Sequence, residues 1–251
     1  CTDLIIESGI KKVVIGTLDP NPLMFGRSVE KLKSKGIDVI VGLAPDETEK
    51  LIRGFKTVIE KKRPFITLKC ASTLDGKVAT QSGESKWITQ VEAREAAHVE
   101  RSEHDAVLIG VGTVLADDPK LNIRLPNQTG RPLTKVILDS RLSTPVTASL
   151  FKADGGPVII YCDDNYPASR KTELEKAGAL VVPVKSLSPG IIDLNEVVAD
   201  LPRHGIQEIL VEGGAKVLGA FAREKLFDRI VYFMAPKILG STGRNAFEGL
   251  N

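Results

Sequence analysis

Between residues 65 and 239 short β-branched apolar runs alternate with longer segments of helical periodicity, and this alternation restricts the fold more than any other feature of the chain. Strand-like runs fall at 65–72 (FITLKCAS), 105–112 (DAVLIGVG), 134–140 (TKVILDS), 157–162 (PVIIYC), 180–184 (LVVPV), 208–214 (EILVEGG) and 229–239 (RIVYFMAPKIL). Helical patterns separate most of them, at 90–103, 166–177, 192–203 and 215–226. Such apolar runs suit strands buried on both faces, and parallel strands need crossover connections, usually helices. The expectation is an α/β domain with a sheet covered on both faces.

A smaller strand–helix–strand pattern precedes it. TDLIIESG closes on Gly9 like a helix end, and KKVVIGT is a short strand. RSVEKLKSKG reads as a helix closed by Gly36, and IDVIVG as a second strand. Residues 47–63 form a basic amphipathic helix that Pro64 stops. A domain boundary is placed there, giving an N-terminal part at 1–60 and a main domain at 64–251. The sequence opens on Cys1 without a methionine, and both ends are expected to be trimmed.

Bulk properties exclude several classes. A net charge of +2 creates no field favouring nucleic acid or an anionic membrane. No apolar run approaches the roughly 20 residues that cross a bilayer. Cys1, Cys70 and Cys162 are few, odd in number and far apart, which argues against a disulfide framework and for a reducing, cytoplasmic compartment. His98, His104 and His204 show no metal-ligand spacing with one another or with a cysteine.

Three stretches can carry chemistry. In EILVEGGAKVLGAF the strand ends at Glu212, Gly213 and Gly214 turn the chain, and a helix starts near Ala215. This is either a tight strand-to-helix turn or a phosphate seat at a helix N-terminus. The G-x-G-x-x-G and P-loop patterns are both absent from it. Glu212 lies at the carboxyl end of a strand, where ligands of open α/β sheets collect.

In GVGTVLADDPKLNIR the pair Asp117-Asp118 precedes Pro119 and reads first as a turn, while Thr113, Asp117 and Arg124 can also wall a polar pocket. In KCASTLDGKVATQSGESKWIT, Lys69 interrupts an apolar strand and either snorkels or meets an anionic ligand. The only tryptophan, Trp87, sits in a polar, glycine-punctuated context, as the edge of a core or as a wall for a flat ligand. Thr89 with Glu92 is a capping-box signature for the helix that follows. On that helix Arg94, His98 and Arg101 share a face, which is by default solvated and alternatively receives a phosphate.

STLDGKVATQSGESKWIT, GVGTVLADDPKLNIR and LVEGG, in this order and spacing, together resemble the reductase domain of the bifunctional riboflavin-biosynthesis deaminase/reductase family over residues 64 to 251. The resemblance implies a dihydrofolate-reductase-like fold. It also implies NADPH-dependent reduction of the ribose of 5-amino-6-(5-phosphoribosylamino)uracil to a ribityl chain. Its cofactor side comprises Ala71, Trp87, Thr113, Asp117, Ser140, Gly213 and Gly214; its substrate side comprises Lys69, Ser85, Arg101, Leu121, Arg124 and Glu212. Lys69, Asp117 and Glu212 are the expected catalytic groups. Lys69 polarises the acceptor, Asp117 orients hydroxyls, Glu212 meets the pyrimidine N–H edge, and Arg101 and Arg124 hold the phosphate.

By the same resemblance, residues 1–60 are the trailing part of a zinc-dependent pyrimidine deaminase domain, and Cys1 matches the second of its zinc-binding cysteines. One ligand does not support deamination, which needs three ligands and a proton-shuttling glutamate. Partners are then a small phosphoribosylaminopyrimidine and further copies of the chain, with no nucleic acid and no membrane. NADPH over NADH follows from the family alone; Arg141, Lys152 and Arg170 are unranked candidates for its 2′-phosphate. The competing readings are a nucleotide-dependent transferase, which lacks its lysine after the glycines, and a non-catalytic nucleotide-binding or assembly module of the same fold.

Overall fold

The computed structural model describes residues 1–85, 88–125, 132–152 and 156–250. The chain forms two compact units, Cys1–Pro64 and Phe65–Asn251.

The first unit runs α1 (Thr2–Glu7), β1 (Lys12–Ile15), α2 (Arg27–Ser34), β2 (Asp38–Val41) and α3 (Pro45–Lys61). β1 and β2 pair in parallel, with Lys12 opposite Asp38. Gly9 and Gly36, both at positive φ, follow the ends of α1 and α2, as the sequence pattern requires. Pro45 opens α3, where its missing N–H costs nothing.

The second unit begins with β3 (Phe65–Thr73) and the short β4 (Lys77–Ala79), followed by α4 (Val91–Ser102), β5 (Ala106–Gly110) and α5 (Val111–Asp117). It continues with β6 (Thr134–Leu138), α6 (Ser149–Lys152), β7 (Val158–Asp163), α7 (Ala168–Lys176) and β8 (Ala179–Val184). A small hairpin of β9 (Ser186–Ser188) and β10 (Ile191–Ile192) leads to α8 (Leu194–Asp200) and a 3₁₀ turn at Leu201–His204. β11 (Glu208–Val211), α9 (Ala215–Arg223), β12 (Arg229–Ala235) and β13 (Arg244–Asn245) complete it. Seven strands form one sheet in the order β12-β3-β11-β5-β6-β7-β8, and every pairing in it is parallel.

Strand alternation divides the core. On β5, Ala106 and Leu108 face one cluster with Ile66, Leu68, Ile209 and Phe221, while Val107 and Ile109 face the other with Ile137, Ile160 and Leu174. Both faces of the central strands are thus covered, and all seven strands are those expected from the sequence. β11 enters between β3 and β5, so the chain's order reverses across it. In open α/β sheets such a reversal opens a crevice beyond the carboxyl ends of the strands.

Three local expectations are corrected. The run 105–112, expected to be strand throughout, leaves the sheet at Gly110, and the helix α5 begins at Val111 and ends at Asp117, where the turn was expected. Its two leading glycine positions, Gly110 and Gly112, obscured it, because glycine disfavours helix. Thr89 does not cap α4: the N-cap is Gln90, with no side-chain capping bond. The runs 208–214 and 229–239 end as strands at Val211 and Ala235.

Candidate active site

A cleft of about 1380 Å³ opens along the carboxyl ends of β3, β11, β5 and β6. It exceeds the about 300–1,000 Å³ of a typical single-ligand site and leaves room for two small molecules side by side.

The chain turns into α9 through Gly213 and Gly214. A Cβ on Gly213 would lie 2.5 Å from Cβ of Val217, and one on Gly110 would lie 2.8 Å from Cγ2 of the same residue. Both glycines are therefore required by the first turn of α9, which packs onto the ends of β11 and β5. Gly214 differs, since its nearest neighbour would be Oγ1 of Thr113 at 3.7 Å. As the N-cap of α9, Gly214 offers no side-chain acceptor; the Val217 N–H turns back to the Gly214 carbonyl at 2.9 Å, and the N–H groups of Ala215 and Lys216 face the helix start where an anion would sit. Ala215 and Lys216, in that turn, line the cleft.

At the β3–β11 side lies a charged cluster. Arg101, from the last turn of α4, grips Glu212 in fork geometry, with Nε 2.5 Å from Oε1 and Nη2 2.9 Å from Oε2. A third guanidinium nitrogen, Nη1, donates to the Asn122 carbonyl at 3.2 Å. Lys69 Nζ stands 3.7 Å from Glu212 Oε2 and 5.8 Å from the centre of the Phe233 ring. Burial alone would push the Glu212 carboxyl up, but Arg101 and Lys69 hold it down at about 2. Glu212 is thus a carboxylate at any physiological pH.

His98 belongs to the same group. Its Nε2 lies 3.3 Å from both Nε and Nη2 of Arg124. A guanidinium only donates, so Nε2 is the accepting nitrogen and Nδ1 carries the proton. That Nδ1 is buried and has no hydrogen-bond partner among the described residues. Burial, then the positive charges of Arg101 and Arg124, bring the imidazole pKa down to about 4, so the ring is neutral.

The cleft brings together Lys69, Ala71, Ser85, Thr113, Asp117, Ser140, Glu212, Gly213 and Gly214, nine of the residues expected to form the site. Arg101 reaches it through Glu212, and Arg124 is held by His98, so neither is a bare phosphate grip. Leu121 is 3% exposed and packs into the core beside the cleft-side elements. Trp87 lies outside the described residues. Asp118 is structural: it ends α5 at φ 41°, and its carboxylate accepts from N and Oγ of Ser149, both at 2.7 Å. The sequence reading missed His98 as the partner of Arg124, and it missed the β9–β10 hairpin, whose Leu187 and Gly190–Ile192 wall the cleft. Pro189-Gly190 between apolar positions was the turn signal that marks this hairpin.

The donor set suits a phosphate-bearing dinucleotide but not zinc. Cys1 is an exposed free thiol, and among the described residues no three His, Cys, Asp or Glu side chains group to hold a metal. Among the described residues no helix is long and apolar enough to cross a membrane.

A seven-stranded parallel α/β domain with an acid–base cluster and a helix N-terminus in one cleft defines a ligand-binding domain of the doubly wound kind. Residues 64–251 match the model of the RibD C-terminal domain, and the chain belongs to that family. It is 45% identical over 240 residues to the riboflavin biosynthesis protein RibD of Aquifex aeolicus, covering 96% of this chain and 65% of the relative. It thus spans less than two thirds of that relative's length. Among solved structures, RibD of Acinetobacter baumannii superposes with a TM-score of 0.87 at 34% identity, over 100% of this chain and 68% of the other. A Thermotoga maritima protein described as diaminohydroxyphosphoribosylaminopyrimidine deaminase/5-amino-6-(5-phosphoribosylamino)uracil reductase gives 0.82 at 40% identity, over 99% and 66%.

Proposed function

We propose that the second unit is an NADPH-dependent reductase that converts the ribose of 5-amino-6-(5-phosphoribosylamino)uracil to the ribityl chain, within riboflavin biosynthesis. The fold would then be dihydrofolate-reductase-like, with residues 1–60 the trailing part of a deaminase domain. The observation that carries this reading is the placement of Lys69 and Glu212 beside the Gly213–Gly214 turn, within one cleft with room for two ligands.

When bound, NADPH supplies the hydride. The chain's own residues supply position and charge. The first turn of α9 would hold the diphosphate, and Thr113 and Ser140, which line the same cleft, would add hydroxyl donors. Glu212, fixed by Arg101, accepts from the N–H edge of the pyrimidine. Lys69 stands at the far side of Glu212, where its ammonium polarises the ring-opened C1′ acceptor and gives the proton that balances the hydride. Asp117 orients a sugar hydroxyl. Arg124, steadied by His98, faces the phosphate end of the substrate. No step is assigned to zinc.

The test is NADPH oxidation, followed by absorbance, with 5-amino-6-(5-phosphoribosylamino)uracil added to the purified chain. Stoichiometric appearance of the ribitylamino product supports the reading. Dinucleotide binding without turnover would leave a nucleotide-binding module and overturn it.

A further inference from the structure

Two arginines stand at the charged end of the cleft, and they are held in opposite ways. Arg101 lies fork to edge on Glu212, at 2.5 and 2.9 Å, so a carboxylate already answers its charge. Arg124 is exposed, and its hydrogen bonds go to one imidazole nitrogen, Nε2 of His98, at 3.3 Å from both Nε and Nη2. Among the described residues no carboxylate pairs with Arg124.

The choice of holder has a physical consequence. A carboxylate binds a guanidinium more strongly than any neutral group, but it cancels the charge it holds. A neutral imidazole accepts a hydrogen bond and leaves the cation in place. Arg124 is therefore oriented and still fully positive. Its position follows from α4, on which His98 and Arg101 are one turn apart. Arg101 in turn bonds both to Glu212, which lines the cleft, and to the carbonyl of Asn122, two residues before Arg124. His98 and Arg124 are not in the cleft lining; these contacts set them next to its charged end.

The surroundings keep His98 in the accepting form. Four charged groups face it: Arg101 from its own helix, Arg124 from the segment after α5, Lys69 from β3 and Glu212 from β11. Burial and the three cations oppose its protonation, and only Glu212 favours it. No acceptor among the described residues meets its buried Nδ1–H, so none there draws the ring toward imidazolium. A protonated ring would lose its accepting nitrogen and repel Arg124.

Resting on the reductase reading above, we propose that His98 is a positioning residue that presents Arg124 to the substrate phosphate with the arginine's charge uncancelled, and so sets the affinity for the phosphorylated sugar. The two arginines then divide the work. Arg101 serves the carboxylate that meets the base, and Arg124 serves the phosphate.

Steady-state NADPH oxidation by the full 251-residue chain tests this, with 5-amino-6-(5-phosphoribosylamino)uracil varied and ribose 5-phosphate as a competing probe. His98→Glu holds Arg124 firmly but cancels its charge, and it is expected to raise KM for the substrate and Ki for the probe by about tenfold to a hundredfold. His98→Leu removes the acceptor and should raise both by about threefold to tenfold. His98→Gln keeps an acceptor that does not titrate, and should stay within about threefold of the parent. The losses should fall on KM for the substrate rather than on kcat or KM for NADPH, as for an interaction made equally in ground and transition states.

A pH series adds a readout that a merely structural role would not move. The neutral ring is the working form, and it is lost as the pH falls toward about 4. The substrate phosphate titrates alike with every variant, so the ratio of parent KM to His98→Gln KM should rise between pH 7 and pH 4.5. If His98→Glu retains the parent KM and Ki, or if His98→Gln is as impaired as His98→Glu, the inference is overturned while the reductase reading stands. Should the glutamate prevent folding, the contrast between His98→Leu and His98→Gln decides the same question. If the parent oxidises no NADPH with the substrate, the reductase reading falls and this inference with it.

Discussion

Arg101 and Glu212, 111 residues apart in sequence, meet edge to edge where the last turn of α4 reaches the carboxyl end of β11. The Glu212 side chain is 7% exposed and that of Arg101 is 16% exposed, so neither charge is solvated well enough to stand alone. Replacing Glu212 by Gln leaves the guanidinium half-satisfied in a dry site, and breaking such a pair typically costs about 3–5 kcal/mol. Glu212→Gln is therefore expected to lower the denaturation midpoint markedly and to abolish turnover. Arg101→Leu combined with Glu212→Leu should recover much of the stability and none of the activity. Urea denaturation and NADPH oxidation, measured on the same preparations, check both halves.

Acid should act on this cluster in two steps. The folded-state pKa of His98 is depressed to about 4 from 6.5, so its stabilising effect is complete above about pH 6.5 and fades as the pH falls toward 4. Glu212 is depressed to about 2 from 4.5, so its contribution is complete above about pH 4.5 and fades toward 2. Both terms have the same sign, and stability should fall monotonically from pH 7 to pH 2. His98→Asn should flatten the upper part of that curve and spare the lower. Denaturant midpoints at half-unit pH intervals would show it, and an unchanged slope between pH 6.5 and 4 in the variant would falsify the assignment.

The sheet was legible because its signal is local. Val107, Leu108 and Ile109 are apolar whichever face they meet, so a continuous run marks a central strand before any partner is known. The site was legible only through its resemblance to a family, because its geometry is not local: nothing near Arg101 in sequence shows that Glu212 will meet it. Where short-range rules competed, they misled. The apolar run reads as strand through Gly112, yet α5 starts at Val111, and a Cβ on Gly110 would strike Val217, far along the chain. Asp117 and Asp118 are neighbours in sequence, but the first ends α5 at the cleft while the second turns out of the helix at positive φ and holds Ser149.

Gly213 and Gly214 should respond differently to the same change. A methyl on Gly213 meets Val217 at 2.5 Å, and overpacking of this kind costs about 1–3 kcal/mol. Gly213→Ala should lower the melting temperature, and a second change, Val217→Ala, should restore part of it by vacating the space. Gly214→Ala meets only Thr113 Oγ1 at 3.7 Å and should fold normally. Its methyl stands at the start of α9, so its effect is expected on dinucleotide affinity instead. Melting curves with and without NADPH distinguish the two: Gly213→Ala shifts both curves equally, and Gly214→Ala reduces only the shift that NADPH produces.

The adjacent aspartates give a similar contrast in function. Asp118 holds α6 to the end of α5 through Ser149 and has no part in the cleft. Asp118→Ala, or Ser149→Ala on the partner side, should lower the melting temperature slightly and leave the kinetics of NADPH oxidation unchanged. Asp117 lines the cleft from the last position of α5, and its proposed work is to orient a sugar hydroxyl during the reaction. Asp117→Asn keeps the size and the hydrogen-bonding shape but removes the charge. It should lower kcat by at least about tenfold while changing the affinity for NADPH much less, since an interaction realised in the transition state is lost from turnover and not from ground-state binding. Steady-state kinetics on both variants decide the matter. A fall in turnover for Asp118→Ala as large as that for Asp117→Asn would mean that the two residues act as one loop, and that Asp117 has no separate role in the chemistry.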